Sequence, residues 1–262
     1  ESVLKTLPGV NFNNELSTQY NVRGGSFEEN LVYVNGIEIY RSFLVRSGRQ
    51  EGLSFVNPEL TQNVDFSAGG FQAKYGDKLS SVLDITYRKP SRFGASLEAS
   101  FLGASVSVEG LSKNEKFKAL VGARYRNNSL FLNSNDIDAN FNPNFTDIQA
   151  YLSYDFSEKF SLDFLGSYSL NNFDFTPRSR QTNFGTLANP LSLVVNYEGN
   201  EQDQYRTIFG ALKGNYKFSD ELSVSLTASS YNTQEQEYYD ILSFYGLGEV
   251  NADFGSDNFG DS

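Results

Sequence analysis

The residues best suited to chemistry in this sequence are three arginines in the stretch YRSFLVRSGRQ. Arg41, Arg46 and Arg49 lie close together, and the aromatic residues Tyr40 and Phe43 stand beside them. A guanidinium group presents a planar fork of donors that matches a carboxylate or a phosphate group. The cluster therefore suits a binding site for an anionic substrate, but we favour the alternative in which these arginines pair with carboxylates elsewhere in the chain.

A second group of candidate ligands lies near the end of the sequence, in EVNADFGSDNFGDS. Asp253, Asp257 and Asp261 offer the carboxylate oxygens that calcium prefers. A solvated acidic loop accounts for the same residues, because the chain beyond Lys217 carries nine acidic residues and no lysine or arginine. We favour the acidic loop and expect neither a resident metal nor a cofactor.

The composition excludes several classes of function. The chain has no cysteine and no histidine, so it lacks thiolate chemistry, disulfides and the commonest general base and metal ligand. Its net charge of -11 argues against nucleic acid as the main partner, because a phosphate backbone is bound by basic surfaces. No apolar run approaches the length of about 18 residues that a membrane-spanning helix needs. We therefore expect neither an enzyme nor a helical membrane protein.

The segment ELSVSLTASS shows how the second part of the chain is built. Leu222, Val224 and Leu226 alternate with Ser223 and Ser225, and this period of two predicts a strand with one apolar and one polar face. Six earlier segments alternate in a similar way. The seven predicted strands are FGASLEASF, ASVSVEG, KFKALVGARYR, TDIQAYLSYDF, FSLDFLGSYSL, RTIFGALKGNYKF and ELSVSLTASS.

The connections between these strands favour a membrane barrel over a soluble sandwich. Short turns and long polar stretches mostly alternate, as in outer-membrane barrels, which have short turns at one end and long loops at the other. The short turns are near 112–115, 157–159 and 219–221, and the long connections are 129–145, 176–203 and 241 onward. We therefore expect the serines of ELSVSLTASS to face a water-filled lumen and its leucines to face lipid. A soluble antiparallel sandwich is the alternative.

The polar faces of the predicted strands carry the carboxylates with which the arginine cluster could pair instead. Asp147, Asp155 and Asp163 lie on the polar side of two of these strands. If the clustered arginines are structural, we expect these aspartates to be their partners.

The first part of the chain, residues 1–92, predicts a small α+β unit. Asn35-Gly36 is the preferred two-residue turn of a type I′ hairpin. Asn57 is expected to cap a short helix that has Pro58 at its first position. The expected core residues are Val22, Leu31, Val34, Ile37, Ile39, Val64, Phe66, Val82, Leu83 and Ile85.

Four short motifs of this first part, in this order, resemble the plug domain of TonB-dependent outer-membrane transporters, most closely those of the Bacteroidetes type. The family plug has a helix that ends in Leu-Pro-Gly, a strand with Arg-Gly-Gly, a hairpin with an Asn-Gly or Asp-Gly turn, and a Tyr-Gly before the strand that leads into the barrel. The matching residues are Leu7, Pro8 and Gly9, then Arg23, Gly24 and Gly25, then Asn35 and Gly36, and last Tyr75 and Gly76.

The resemblance implies a small α+β plug domain over residues 1–92, followed over residues 93–262 by the N-terminal part of a large transmembrane β-barrel. The family barrel has about 22 antiparallel strands around its plug, and seven are predicted here. We therefore expect the chain to be an incomplete part of a larger protein, without the N-terminal segment that contacts TonB.

The resemblance also implies a function and a location. A plugged barrel of this family imports a substrate actively across the bacterial outer membrane, driven by a TonB-type energy-transducing protein, without covalent chemistry. The arginine cluster would then lie in an apical loop of the plug that faces outward. Expected partners are outer-membrane lipid, the TonB-type protein and a surface lipoprotein or other subunits of an outer-membrane complex. The alternatives are a structural or signalling component of such a complex and, third, a soluble adhesin-like protein.

Overall fold

The structure, a computed structural model, describes residues 4–12, 18–40, 53–133, 139–186, 189–251 and 255–256 of the 262-residue chain. Within these ranges strands dominate, and the helices are three single 3-10 turns (Leu4–Thr6, Phe27–Glu29 and Pro58–Leu60) and the short α1 (Ser129–Leu132). None of these helices is long and apolar enough to cross a membrane.

The N-terminal part of the chain contains a strand pair and a four-stranded sheet. The pair is β1 (Val10–Phe12) and β2 (Tyr20–Val22), and the sheet contains β3 (Asn30–Val34), β4 (Ile37–Glu38), β5 (Thr61–Ser67) and β6 (Ser81–Tyr87). The sheet has the order β4-β3-β6-β5. β3 and β6 run parallel, whereas the other neighbours run antiparallel.

Two backbone features predicted for this part are confirmed. Asn35 and Gly36, between β3 and β4, have φ values of 52° and 69°, and a type I′ turn requires positive φ at both positions. Asn57 caps the turn over Pro58–Leu60, and its side chain accepts the backbone N–H of Glu59 at 3.0 Å. This helix ends after a single turn because the following residues enter β5.

The core of the N-terminal part contains most of the predicted residues. Those buried as predicted are Val22, Leu31, Val34, Ile37, Ile39, Val82, Leu83 and Ile85. Phe66 is partly buried, and the prediction for Val64 is wrong, because its side chain is 49% exposed. Both residues lie on β5, which is the edge strand of the four-stranded sheet among the strands that the structure describes.

The second part of the chain forms an eight-stranded sheet. Its strands are β7 (Gly94–Ser100), β8 (Gly103–Leu111), β9 (Phe117–Asn127), β10 (Ala139–Asp155), β11 (Phe160–Pro177), β12 (Arg180–Thr186), β13 (Asn189–Lys217) and β14 (Ser223–Glu249). The order is β12-β13-β11-β10-β9-β8-β7, and β14 also pairs with β13. All seven predicted strands are present, and β12 is an additional strand inside the predicted connection 176–203.

Several strands are much longer than the sequence predicts. β10 and β11 have 17 and 18 residues, and β13 and β14 have 29 and 27. The three predicted long connections are therefore wrong as loops over most of their described length. Their sequence alternates poorly because a strand pair needs backbone hydrogen bonds to its neighbour and does not need an apolar face.

By compactness the chain divides into two units. The first comprises Glu1–Asn127, Asn144–Asn171 and Tyr205–Glu235, and the second comprises Asn128–Pro143, Asn172–Gln204 and Gln236–Ser262. The second unit thus gathers most of the described residues of the three predicted long connections. Within it the rings of Phe141 and Phe173 lie 6.1 Å apart, and the N–H of Val250 donates to the carbonyl of Pro190 at 3.0 Å. The domain boundary predicted at residue 92 lies inside the first unit and stays a prediction.

Within the first unit, the two faces of the eight-stranded sheet differ as the alternation predicts. The apolar side chains of Leu97, Leu222 and Leu226 are 78%, 55% and 77% exposed. On the opposite face, the polar side chains of Asp147 and Gln149 are buried. An exposed apolar face and a buried polar face are the reverse of a soluble sandwich and are typical of strands that face lipid.

Candidate functional site

The site predicted from the arginine cluster lies almost wholly outside the described residues. Of its members only Tyr40 is described, and its side chain is 62% exposed. The predicted site residues outside the described ranges are Arg41, Phe43, Arg46 and Arg49, together with the calcium candidates Asp253, Asp257 and Asp261. Both predicted sites therefore stay predictions.

The motif glycines of the N-terminal part fix its backbone. Gly9 has a φ of 80°, and its carbonyl accepts the N–H of Arg23 at 2.8 Å, which ties the first motif to the second. At Gly25 the side chains of Ser80 and Glu29 occupy the space that a Cβ would need. These contacts give the motifs a structural role in the plug.

Tyr75 ties the loop before β6 to the four-stranded sheet. Its O–H donates to Asp84 on β6, and its ring centroid lies 5.2 Å from that of Tyr33. Burial raises the pKa of Tyr75, and the hydrogen bond to Asp84 acts in the same direction, so the hydroxyl remains a donor at neutral pH. A Cβ at Gly76 would meet no other atom within 4 Å, and nothing in the structure explains why a glycine stands at this position.

A buried polar network joins the N-terminal part to the eight-stranded sheet. Arg124 on β9 and Asp147 on β10 form an ion pair of 3.0 Å between Nε and Oδ1, and both side chains are buried. The other two guanidinium nitrogens, Nη1 and Nη2, donate to the carbonyls of Val56 and Ser54, each at 2.9 Å. One arginine thus connects two neighbouring strands to the segment that precedes the Asn57 cap.

Gln149 extends this network along β10. Its Nε2 donates to Asp147 Oδ2 at 3.0 Å and to the carbonyl of Phe55. Its Oε1 accepts the O–H of Tyr87 at 2.7 Å, and the Tyr87 oxygen accepts the N–H of Asn57 at 3.0 Å. The Arg124 network, as we name it, comprises Arg124, Asp147, Gln149 and Tyr87 with residues 54–57 that they hold.

The two parts approach each other closely at Gly122 on β9. A Cβ at this position would lie 2.8 Å from Asn57 Nδ2 and 2.9 Å from Leu60 Cδ2, and both of these side chains are fully buried. Protein interiors are close-packed, so these neighbours have little room to move away. The polar face of the sheet is therefore shaped, as well as charged, to receive residues 57–60.

A second set of contacts surrounds the Asn35-Gly36 turn and the end of β6. Lys213 Nζ on β13 donates to the carbonyl of Asn35 at 2.9 Å. Asp163 on β11 accepts a hydrogen bond from Asn215 at 3.2 Å and pairs with Lys89 at 3.4 Å. The turn and the chain after β6 are thus held by polar groups of the same sheet.

The aspartates considered as partners of the arginine cluster have other cationic partners. The pairs are Asp147 with Arg124 at 3.0 Å, Asp155 with Lys118 at 3.2 Å and Asp163 with Lys89 at 3.4 Å. Each of these carboxylates thus has a cation beside it within the described part of the chain, and the ion-pair interpretation of the cluster stays a prediction.

An open cleft of about 360 Å³ lies beside the Arg124 network. Residues 53–59 line one side, and strands β7, β8 and β9 line the other. Glu59 and Glu98 bring negative charge to its wall, and Arg124 and Arg126 bring positive charge. A space of this size can hold a small molecule, and charges of both signs suit a polar one.

The alternation of KFKALVGARYR and TDIQAYLSYDF places Arg124 and Gln149 on the polar face of their strands, but it does not indicate that they hold the N-terminal part of the chain. Their partners are the carbonyls of residues 54–56, and a carbonyl is present at every position of a sequence and gives no signal. Gly122 carried a weak signal, because glycine in a strand interior often marks a close approach of another backbone or ligand.

Comparison with known proteins identifies the N-terminal part of the chain. Residues 1–81 match the family model of the TonB-dependent receptor plug domain. A search of the curated proteins finds no relative.

Three solved structures align with most of the chain. The FrpB iron transporter from Neisseria meningitidis aligns with a TM-score of 0.52 and 12% identity over 90% of this chain and 46% of that protein. A variant of the ferric enterobactin receptor from Pseudomonas aeruginosa aligns with a TM-score of 0.49 and 15% identity over 94% and 45%. The ferripyoverdine receptor from the same organism aligns with a TM-score of 0.48 and 14% identity over 92% and 42%. At such identities the likeness to the transporter shows the fold alone.

These findings define the class of protein: a small α+β plug domain followed by antiparallel strands of a large transmembrane β-barrel. The chain carries a match to the plug domain of TonB-dependent receptors over residues 1–81, followed by strands that share the fold of the iron transporter. It spans less than half the length of each of the three solved structures. The Bacteroidetes type stays a prediction.

Proposed function

We propose that the whole receptor actively imports a substrate across the outer membrane, driven by a TonB-type protein. The Arg124 network carries this proposal, because it holds part of the plug domain through hydrogen bonds that can be broken and remade. Transport of this kind needs no covalent chemistry, in keeping with a sequence that has neither cysteine nor histidine.

The network is arranged so that movement of the plug leaves no isolated buried charge. Asp147, the counter-ion of Arg124, belongs to the sheet, and the plug supplies only carbonyl oxygens to this guanidinium. Removing one partner of a buried ion pair costs about 3–5 kcal/mol, whereas a hydrogen bond to a charged group contributes about 1.5–3 kcal/mol. Displacing residues 54–57 therefore breaks hydrogen bonds that incoming water replaces, and the ion pair remains intact.

For the substrate contact we propose the arginine cluster with its two aromatic neighbours. Tyr40 is exposed, and the aspartates that could have neutralised the cluster have other cations beside them. The substrate would then carry a carboxylate or phosphate group. The proposed partners are outer-membrane lipid, a TonB-type protein and a surface lipoprotein or further subunits of a complex.

The substrate proposal predicts the behaviour of the double variant Arg46→Ala with Arg49→Ala in the full-length receptor. We expect uptake and binding of an anionic substrate to fall by at least about tenfold, since each charge-assisted hydrogen bond contributes about 1.5–3 kcal/mol. Radiolabelled carboxylate and phosphate nutrients, tested one at a time on whole cells, provide the measurement. Lys113→Ala, in a short turn of the sheet, is the control. If the double variant binds the substrate as well as the wild-type receptor, the arginines have a structural role instead.

The import proposal itself is tested by deleting genes in the source organism. Cells without the receptor and cells without the TonB-type protein should lose uptake of the same nutrient. If deleting the receptor leaves uptake unchanged but disrupts an outer-membrane complex, the protein is a structural component of that complex. Uptake that depends on the receptor but not on the TonB-type protein would contradict active import.

A further inference from the structure

A small, largely enclosed cavity lies between the plug domain and the sheet, next to the open cleft. Its volume is about 10 Å³, and it is lined by residues 53–55 of the plug and by side chains of β10, β11, β13 and β14. Phe55 and Asp147 form part of its wall, and both are buried. The cavity is thus closed off by both parts of the first unit.

Four polar atoms of the lining residues are buried and lack a hydrogen-bond partner among the described residues. They are Ser54 Oγ, Ser169 Oγ, Asn171 Nδ2 and Tyr231 OH. Ser54 comes from the plug, whereas the other three come from β11 and β14. Buried polar groups in folded proteins are nearly always hydrogen-bonded, so a shared partner is expected where several line one cavity.

The size and chemistry of the cavity select its occupant. A buried water needs a space of about 10–15 Å³ and two to four polar partners. An amide N–H₂ requires an acceptor, which a metal ion cannot provide, whereas a hydroxyl can donate or accept. Both oxygens of Asp147 are already engaged, by Arg124 Nε and Gln149 Nε2, so the carboxylate does not turn the cavity into a cation site.

We propose that the cavity binds one ordered water molecule that bridges the plug domain to β11 and β14. The water accepts from Asn171 and exchanges hydrogen bonds with the hydroxyls of Ser54, Ser169 and Tyr231. Ser54 is then held twice, at its carbonyl by Arg124 and at its side chain through this water. The inference does not depend on the import function.

A crystal structure of the full-length receptor that shows ordered waters tests the proposal. We expect one isolated density peak within about 2.5–3.2 Å of at least three of the four polar atoms. In Ser169→Val the added methyl groups fill the cavity, and the peak should disappear. Asn171→Leu serves the same purpose if the first variant does not fold. Ser153→Val is the matched control, because Ser153 is a buried serine on the same sheet that does not line this cavity, and the peak should remain.

Radiolytic hydroxyl labelling gives a second measurement in solution, because bound water is the source of the radical. Phe55 is 6% exposed, so the wild-type protein should show labelling of this ring that falls several-fold in Ser169→Val. The proposal is overturned if the four polar atoms bond to one another in a closed cavity. It is also overturned if the density has the short, many-ligand geometry of an ion, or if labelling is unchanged in the filled variant.

Discussion

Arg124 carries more contacts than its place in an alternating strand suggests. Its guanidinium meets a carboxylate on the neighbouring strand and two carbonyls that lie 68 and 70 residues earlier in the chain. Few side chains other than arginine can satisfy three acceptors in one plane at this distance, because a lysine has a single nitrogen.

Arg124→Ala should be strongly destabilising. The change leaves Asp147 buried without its cation and two carbonyls without donors, so we expect a loss of about 3–5 kcal/mol in the free energy of unfolding. Denaturant titration of the receptor in detergent measures this loss. Lys118→Ala is the control, because its pair with Asp155 is partly exposed and should contribute less than about 1 kcal/mol. Equal losses of unfolding free energy in the two variants would contradict the conclusion that Arg124 holds the plug against the sheet.

Gly122→Ala tests the close approach of plug and sheet. The new methyl group would press on Asn57 and Leu60, and we expect a loss of about 1–3 kcal/mol from overpacking. Gly110→Ala is the matched control, since the nearest atom to its Cβ is Phe93 Cδ2 at 3.7 Å. Both variants are compared by the same unfolding titration. If Gly110→Ala lowers the free energy of unfolding as much as Gly122→Ala does, the effect comes from strand propensity and not from contact with the plug.

At the scale of elements, β14 tests which face of the sheet meets lipid. Leu226→Lys should cost about 2–4 kcal/mol if the residue lies near the middle of the bilayer, whereas Ser225→Lys on the opposite face should cost much less. Folding of the receptor into lipid vesicles, followed by denaturant titration, measures both. Equal effects would favour a sheet with water on both faces.

The long strands also show where the alternation of apolar and polar residues stops predicting strand structure. ELSVSLTASS predicts its strand because one face is apolar, but β14 continues to Glu249 through polar residues such as Asn232, Gln234 and Gln236. The continuation rests on backbone pairing with β13, and a pairing partner leaves no periodic mark on the sequence. For the same reason β12, inside a predicted loop, was missed.

For the whole molecule, a pair of introduced thiols gives a direct test of plug movement, since the 262 residues of this chain contain no cysteine. A Cβ at position 122 would lie 2.8 Å from Asn57 Nδ2, where the plug touches β9. In the pair Asn57→Cys and Gly122→Cys we therefore expect the two thiols to meet and to form a disulfide on oxidation. If import requires residues 54–57 to leave the sheet, the oxidised variant should lose uptake and a reductant should restore it. Uptake is measured with the nutrient identified by the deletion strains.

The two single-cysteine variants control for loss of the Asn57 cap and for crowding at Gly122. Each should transport in both redox states. Full uptake by the oxidised double-cysteine variant would show that residue 57 stays in contact with β9 during transport. The import function would still be tested separately by the deletion strains.

Elements with a local cause can be read directly from the order of the residues. The Asn35-Gly36 turn depends on the positive φ that these two residues tolerate, and the Asn57 cap depends on a side chain that reaches its own helix. The faces of the seven predicted strands follow from a period of two. The plug motifs were sufficient to indicate the family that the comparison with residues 1–81 supports.

Packing between distant segments sets which polar residues join the plug to the sheet. The hydrogen bond from Gln149 to Phe55 spans 94 positions, and no pattern along the chain indicates which of many polar side chains will meet which carbonyl. The pairing depends on how the N-terminal part packs on the eight-stranded sheet. Gly122 leaves room there for residues 57–60, and Arg124 and Asp147 neutralise each other beside it. A local period records which face is polar, but the partner on that face is set by packing between residues far apart in sequence.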